Sequence, residues 1–135
     1  MAFIGGDLLE ITVTSETYGS RTFKPMSGEA GTFDPGGVRN DDESNGVTGN
    51  GTSIWVKKNN RWSVEQVCAL SLNEDEDVHF IANLAAETIE QDWTFQHISG
   101  AIHAGKGQPV GDIQGDYGAA TFTLKASGGG SLAKI

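Results

Sequence analysis

The sequence is poor in cysteine, proline and positive charge. Its 135 residues include one cysteine, three prolines and 9 Lys and Arg against 18 Asp and Glu. A single thiol, Cys68, excludes an intramolecular disulfide framework, and its place in an apolar strand pattern predicts a buried side chain. The formal net charge of −9 disfavours a groove that holds nucleic acid by neutralising phosphates, and it disfavours docking on an anionic membrane.

Long hydrophobic runs are also lacking. The first seven residues contain neither the basic region nor the apolar run of a signal peptide. No segment approaches the ~20 consecutive apolar residues that cross a bilayer. We therefore expect a chain made in the cytoplasm that does not insert into a membrane.

Glycine, by contrast, is abundant. The 19 glycines are about twice the average usage, while hydrophobic residues make up only 37% of the chain. A length of 135 residues suits one domain, spanning residues 1–135. Together these features favour a β protein with many turns and one long loop.

Alternating apolar residues predict most of the secondary structure as strands. In Leu8–Thr14, for example, Leu9, Ile11 and Val13 share one face and polar residues the other. The other predicted strands are 21–25, 52–57, 61–71, 93–97, 101–104 and 119–126. Between strands 52–57 and 61–71, Asn59-Asn60 predicts a tight hairpin turn, because asparagine tolerates positive φ.

One short helix is predicted after strand 61–71. Asn73 can cap it, with Glu76 three residues further on, and the acidic first turn suits the helix dipole. Apolar residues at helical spacing then continue to about Glu87.

Sequence motifs for catalysis, metal or cofactor binding are weak. Residues 100–107 nearly match the phosphate-binding loop, but Gly107 stands where that loop needs a hydroxyl, and no helical period follows. Asp41–Thr52 fails the EF-hand pattern, because Thr52 replaces the bidentate glutamate. We therefore expect no catalytic residue, no metal and no cofactor.

The three histidines do not suggest a metal site either. His79 falls on the predicted helix, and His97 and His103 lie six residues apart on strand-like segments. On one uninterrupted strand this spacing separates them by ~20 Å, too far for a shared metal ion.

The stretch 26–51 lacks any regular pattern, and loops of this length inside a domain are uncommon. Two interpretations stay open: a surface loop, or an arm that becomes ordered against a partner chain. The glycine-rich C-terminal tail, about 127–135, is expected to be flexible.

Three segments and the order of the predicted elements resemble bacteriophage tail tube proteins. The segments are Asp92-Trp93-Thr94, 105–112 and 120–125. The resemblance implies an antiparallel β-sandwich or barrel-like subunit with one short flanking helix. It further implies self-assembly into stacked rings, most often hexameric, that form a hollow tube through which DNA is ejected.

For this chain, the resemblance implies that the loop 26–51 reaches an adjacent ring or subunit. The candidate contact residues are Phe33, Val38, Arg39, Asp41, Asp42 and Glu43. An acidic lumen would let DNA pass without binding it, and Glu10 and Glu65 are the candidate lumenal acids.

The implied location is the virion, and the implied partners are other copies of the chain together with sheath, tape measure, baseplate and terminator proteins. The short chain favours a contractile tail. Non-contractile tails, tailocins and secretion-system tubes remain open.

Two hypotheses from other classes also remain. One is a small β-sandwich binding module, for instance for carbohydrate, with Trp55, Trp62 or Trp93 as a stacking platform. The other is an enzyme whose site is assembled from scattered residues. Neither has a positive motif.

Overall fold

The computed structural model describes residues 2–29, 31–73 and 77–135, and within them the protein is mainly β with a single helix. The strands are β1 (Leu8–Ser15), β2 (Gly19–Phe23), β3 (Thr32–Asp34), β4 (Gly37–Asn40), β5 (Gly46–Val47), β6 (Ser53–Ile54), β7 (Lys57–Asn60), β8 (Trp62–Ala69), β9 (Gln91–His97), β10 (Ile102–Pro109), β11 (Gly115–Asp116), β12 (Thr121–Gly128) and β13 (Ala133–Lys134). The helix α1 spans Asp77–Ala85. The predicted mainly β fold with one short helix is confirmed.

One large antiparallel sheet contains most of the strands, in the order β2-β1-β9-β10-β12-β8-β3. The residues after β2 also reach β8: Pro25 bridges Cys68, and Met26 N–H donates to the Val67 carbonyl at 2.9 Å. Because β2 stands at the opposite end of the strand order from β8, this pairing closes the sheet on itself. The result is barrel-like and leaves fewer unpaired strand edges.

Alternating side chains of these strands fill the core. Trp62, Trp93 and Phe95 are buried, with the ring centroids of Trp62 and Phe95 5.9 Å apart. Both indoles are satisfied, since Trp62 Nε1–H donates to the Lys106 carbonyl and Trp93 Nε1–H to the Gly107 carbonyl. Aromatic burial of this kind supplies much of the hydrophobic stabilisation of a small domain.

Helix α1 packs its apolar side against the sheet through Ile81 and Leu84, which are buried. The helix begins at Asp77, four residues after the predicted capping residue Asn73, and ends two residues before Glu87. The predicted capping contact involves Glu76, and residues 74–76 lie outside the described residues.

Most of the near-match to a phosphate loop, residues 102–107, lies in strand β10. Gly105 lies against the Trp62 ring, where an added Cβ would come within 2.9 Å of it. At Gly107 an added Cβ would collide with the Ser127 carbonyl. These glycines are therefore required by close packing of β10 on Trp62 and β12, which explains the motif without a phosphate.

The predicted hairpin across Asn59-Asn60 is wrong. Both residues lie inside β7, where they pair with Val38 and Gly37 of β4. Strand β8 instead pairs with β12 and β3. A pair of asparagines permits a turn but does not require one, and the ladder with β4 keeps both in extended backbone.

The C-terminal tail also differs from the expectation. Leu132 is buried and its N–H donates to the Pro35 carbonyl, while β13 pairs with β10. A buried leucine and a strand ladder hold residues 131–135 against the chain's own sheet. Among the described residues, no helix has the length and apolar character needed to span a membrane.

Candidate assembly surface

Residues 37–60 form a two-stranded projection, here called the arm. At its base β4 pairs with β7, from Gly37 opposite Asn60 to Asn40 opposite Lys57. Beyond this ladder, Asp41 N–H donates to the Val56 carbonyl at 2.8 Å, and β5 pairs with β6. The two ladders belong to sheets separate from the main one. The arm therefore holds its shape through its own backbone pairing.

The arm exposes its large apolar side chains. Trp55 is 62% exposed, although Trp62 and Trp93 are buried. The other exposed apolar residues of the arm are Val38, Val47, Ile54 and Val56. Five large apolar side chains exposed on one short segment are more than such a segment needs for its own fold, and exposed apolar surface is a common feature of protein contacts. These side chains lack a core of their own, so the arm is the best candidate for an assembly surface.

An ion pair fixes the root of the arm to the main sheet. Arg39 Nη2 lies 2.6 Å from Asp34 Oδ1, and Gly36 N–H donates to the same carboxylate at 2.9 Å. The hydrogen bond from Arg39, and then that from Gly36, lower the pKa of Asp34 below its ordinary value. Asp34 therefore stays ionised at neutral pH and joins the end of β3 to the start of the arm.

Most of the predicted contact residues are placed on the arm. Val38 and Arg39 lie in β4, and Asp42 and Glu43 are exposed at the bend that follows it. Asp41 accepts from Ser44 Oγ and N–H and lies 3.9 Å from Lys58 Nζ.

Phe33 is the exception among these residues. It belongs to β3 of the main sheet, and its ring lies 5.2 Å from the ring of His103. Arg39 and Asp41 have partners within their own chain, so Val38, Asp42 and Glu43 are the better candidates for contact with another chain.

The sequence does not place three of the five exposed apolar residues on this surface. The sequence predicts Ile54, Trp55 and Val56 within a hairpin strand, 52–57, that pairs with 61–71, yet all three are exposed on the arm. A signal was available in the sequence, because Ile54, Trp55 and Val56 are three consecutive apolar residues between a glycine-rich stretch and Lys57-Lys58. A half-buried strand would instead alternate apolar and polar residues.

The two candidate lumenal acids lie on the main sheet, each with a lysine nearby. Glu10 is in β1, with its carboxylate 3.7 Å from Lys24 Nζ. Glu65 is in β8, directly opposite Lys125 of β12. Both acids are exposed, and the lysines reduce the negative potential around them.

A cavity of about 300 Å³ opens between β3, β8, β9 and β10. Its walls are mostly apolar and include Leu8, Phe33 and Phe95, with His97 and His103 among the polar members. The two histidines lie on neighbouring strands, so the assumption of one uninterrupted strand is wrong. Among the described residues there is no cluster of three or more His, Cys, Asp or Glu that could hold a metal ion.

The amide of Gln66 also lines this cavity and is 2% exposed. Its Nε2 donates to the Glu29 carbonyl at 3.3 Å and to the Val67 carbonyl at 3.1 Å. Its Oε1 receives no hydrogen bond from the described part of the chain. A buried acceptor without a donor is costly, and this oxygen lies close against Gly31 with almost no accessible surface of its own.

The tryptophan stacking platform is not present as a group. Trp62 and Trp93 contribute to the core and cannot present a ring face to a ligand, which leaves Trp55 alone.

No protein-family model matches this chain, and no curated protein matches its sequence.

Proposed function

We propose that this protein is a self-assembling structural subunit whose arm packs against neighbouring copies of the same chain. The observation that supports the proposal is the arm itself, which holds its shape by backbone pairing and exposes Val38, Val47, Ile54, Trp55 and Val56. Neither the enzyme nor the carbohydrate-binding hypothesis has a comparable feature.

The energetics favour this use of the arm. Burial of one Val, Ile or Trp side chain contributes roughly 1.5–3 kcal/mol, and each copy carries several of them on one projection. Association costs an estimated 4–15 kcal/mol in lost freedom of motion. The arm side chains are 36–67% exposed, so their burial contributes part of this amount each and offsets part of the cost, and a ring in which every copy both gives and receives an arm doubles the contacts of each copy.

The finer proposal is a bacteriophage tail tube. It rests on the resemblance of segments 92–94, 105–112 and 120–125 and on the combination of a closed β subunit, one helix and a long arm. In this proposal the copies form stacked rings, most often hexameric, in a virion tail. DNA passes through the lumen without specific binding, and sheath, tape measure, baseplate and terminator proteins are the partners.

The direct test is negative-stain electron microscopy of the purified protein over a concentration series. We expect rings and hollow tubes as concentration rises. Small monodisperse particles at every concentration in moderate salt would contradict the proposal.

A matched variant isolates the role of the arm. Residues 41–56 are replaced by a two-residue Asn-Gly turn, which closes the β4–β7 ladder directly after Asn40 and before Lys57. The main sheet is untouched, so we expect a folded subunit with a wild-type melting transition that no longer forms tubes. Normal tubes from this variant would show that assembly does not use the arm.

A further inference from the structure

We propose that Asn50 of the arm modifies itself, by cyclising onto the backbone nitrogen of Gly51 and losing its side-chain nitrogen as ammonia. The chain contains two Asn-Gly pairs, Asn45-Gly46 and Asn50-Gly51, and both lie in the arm. Asparagine undergoes this reaction most easily before glycine, because glycine has no Cβ to obstruct the attacking nitrogen. The surroundings of the two pairs differ, and those of Asn50 favour the reaction. The inference stands independently of self-assembly.

The reaction needs only water as a second reactant. The Gly51 nitrogen attacks Cγ of Asn50, the new C–N bond closes an imide ring, and the bond from Cγ to Nδ2 breaks. Nδ2 leaves as ammonia, together with the proton from the Gly51 nitrogen. Water then opens the ring at Cγ, which gives aspartate, or at the backbone carbonyl carbon, which gives isoaspartate. Either product replaces a neutral amide by a carboxylate, and isoaspartate also lengthens the backbone by one carbon atom.

Two hydroxyl groups activate the side-chain carbonyl of Asn50. Thr48 Oγ1 accepts a hydrogen bond from Thr52 N–H at 3.0 Å, and its own hydroxyl donates to Asn50 Oδ1. Thr52 Oγ1 donates to the same oxygen at 3.3 Å. Attack at Cγ places negative charge on this oxygen. Donors that already point at a developing oxyanion lower the barrier to its formation.

The attacking nitrogen lies in an open turn of the arm. Gly51 N–H donates to the Thr48 carbonyl at 2.9 Å and closes a turn through Gly49 and Asn50, all of which are exposed. Apart from chain neighbours, no described atom lies within 4 Å of a Cβ added at Gly49 or at Gly51. Opening this one hydrogen bond therefore disturbs no packing and frees the nitrogen to approach Cγ.

The other Asn-Gly pair is held by the arm's own ladder. Asn45 is half-buried, and its Oδ1 accepts from Val56 N–H at 2.8 Å. Gly46 pairs with Ile54 in the ladder of β5 and β6. The Gly46 nitrogen could reach Cγ of Asn45 only if this end of the ladder opened. The fold therefore protects Asn45 and leaves Asn50 reactive, which makes Asn45 an internal control.

Peptide mapping by mass spectrometry measures the conversion at each asparagine separately. The purified protein is incubated at pH 7.4 and 37 °C, both in buffer and in guanidinium chloride that unfolds it. We expect Asn50 to convert in the native protein at least as fast as in the unfolded one. Asn45 should convert roughly tenfold more slowly in the native protein than in the unfolded one, or slower still. Native protection of Asn50 as strong as that of Asn45 would overturn the inference, because the hydroxyls would then lock the amide instead of activating it.

The hydroxyl groups have a test of their own. Thr48→Val keeps the branched shape of the side chain and removes the hydroxyl, whereas Thr48→Ser keeps the hydroxyl. We expect Thr48→Val to slow the native conversion of Asn50 roughly fivefold, the change that corresponds to one hydrogen bond, and Thr48→Ser to match wild type. In guanidinium chloride all three proteins should convert at the same rate.

Thr48→Val also removes the acceptor for Thr52 N–H, so a second variant leaves that backbone group alone. Thr52→Val removes only the hydroxyl that donates to Asn50 Oδ1 at 3.3 Å, and it should slow the native conversion as well. Native rates equal to or above wild type in both valine variants would overturn activation by the hydroxyls.

Discussion

Cys68 is completely buried, and its thiol contacts no solvent. Burial, followed by the negative charge of Asp77, raises the pKa of this thiol from an ordinary 9.0 to about 12. Only the thiolate reacts readily with disulfide reagents and alkylating agents. The native protein should therefore be inert towards such reagents at pH 8 and become reactive only when it opens.

The pKa shift of Cys68 also predicts a pH dependence of stability. Between pH 9 and 12 the unfolded thiol is ionised while the native thiol keeps its proton, so unfolding releases a proton and is favoured as pH rises. Compared with Cys68→Ala, the wild-type free energy of unfolding should fall by up to ~1.4 kcal/mol more for each pH unit in this window. Urea titrations of both proteins from pH 8 to 10.5 measure the difference. If the free energies of unfolding of the two proteins fall in parallel with pH, Cys68 does not contribute to the pH dependence.

Asp77 joins three elements through one carboxylate. Its Oδ1 accepts from Arg21 Nε at 2.7 Å, its Oδ2 accepts from Ser71 N–H at 2.9 Å, and the Arg21 guanidinium lies 5.1 Å from the centroid of the Phe80 ring. The side chains of Asp77 and Arg21 are only 10% and 19% exposed. The start of α1 is thereby tied to β2 and to the residues after β8.

We predict that Asp77→Ala lowers the free energy of unfolding by about 3 kcal/mol, because it leaves a largely buried guanidinium without this carboxylate. Asp77→Asn should cost less, since its amide oxygen can still accept from Ser71 N–H. Urea denaturation followed by circular dichroism measures both. Asp92→Asn is the control: its ion pair with Lys106 is long and exposed, so it should change stability by no more than ~0.5 kcal/mol. Equal losses of unfolding free energy in Asp77→Ala and Asp92→Asn would show that the contact of Asp77 with Arg21 stabilises the fold no more than an exposed ion pair does.

At the scale of elements, strands β10 and β12 approach closely where both contain glycine. A Cβ at Gly107 would collide with the Ser127 carbonyl, and one at Gly128 with the Lys106 carbonyl. These obstacles are backbone atoms, which cannot rotate away as a side chain can. The glycines therefore set the distance between the two strands.

Gly107→Ala should lower the free energy of unfolding by ~3 kcal/mol or more, at the upper end of the range for overpacking. The control is Gly49→Ala on the arm, where nothing lies within 4 Å of the added methyl group. We expect this second change to alter the melting temperature by no more than a degree or two. A Gly107→Ala protein as stable as wild type would show that the two strands can move apart.

How far the sequence predicts an element depends on whether one face of it is buried. Strands β1, β9 and β12 were predictable because alternating residues such as Ile11, Trp93 and Phe122 enter the core. The arm strands have no buried face and are two to four residues long, so their pairing depends on backbone ladders between distant segments, such as Gly37 with Asn60. The cavity was not predictable either, because Gln66, His97 and His103 meet only through the topology of the sheet.

At the scale of the whole molecule, charge opposes the proposed assembly. Each copy carries a formal charge of −9, so a ring of six would carry about −54, six times that value. Apolar burial by the arm has to overcome this repulsion. Salt screens it, since the Debye length shortens from about 30 Å at 0.01 M to about 8 Å at 0.15 M ionic strength.

The critical concentration for assembly should therefore fall as sodium chloride rises from 20 to 200 mM, measured by light scattering and confirmed by electron microscopy.

Asp42 and Glu43 are exposed at the bend of the arm, so the pair Asp42→Asn and Glu43→Gln should lower the critical concentration and flatten its salt dependence. The control pair, Glu16→Gln and Glu90→Gln, makes the same change in net charge at exposed positions outside the arm. A larger effect of the arm pair would mean that the bend meets another acidic surface, whereas equal effects would mean that net charge alone opposes assembly. Assembly that weakens with added salt would contradict both of these explanations, because contacts between copies would then depend on attraction between opposite charges.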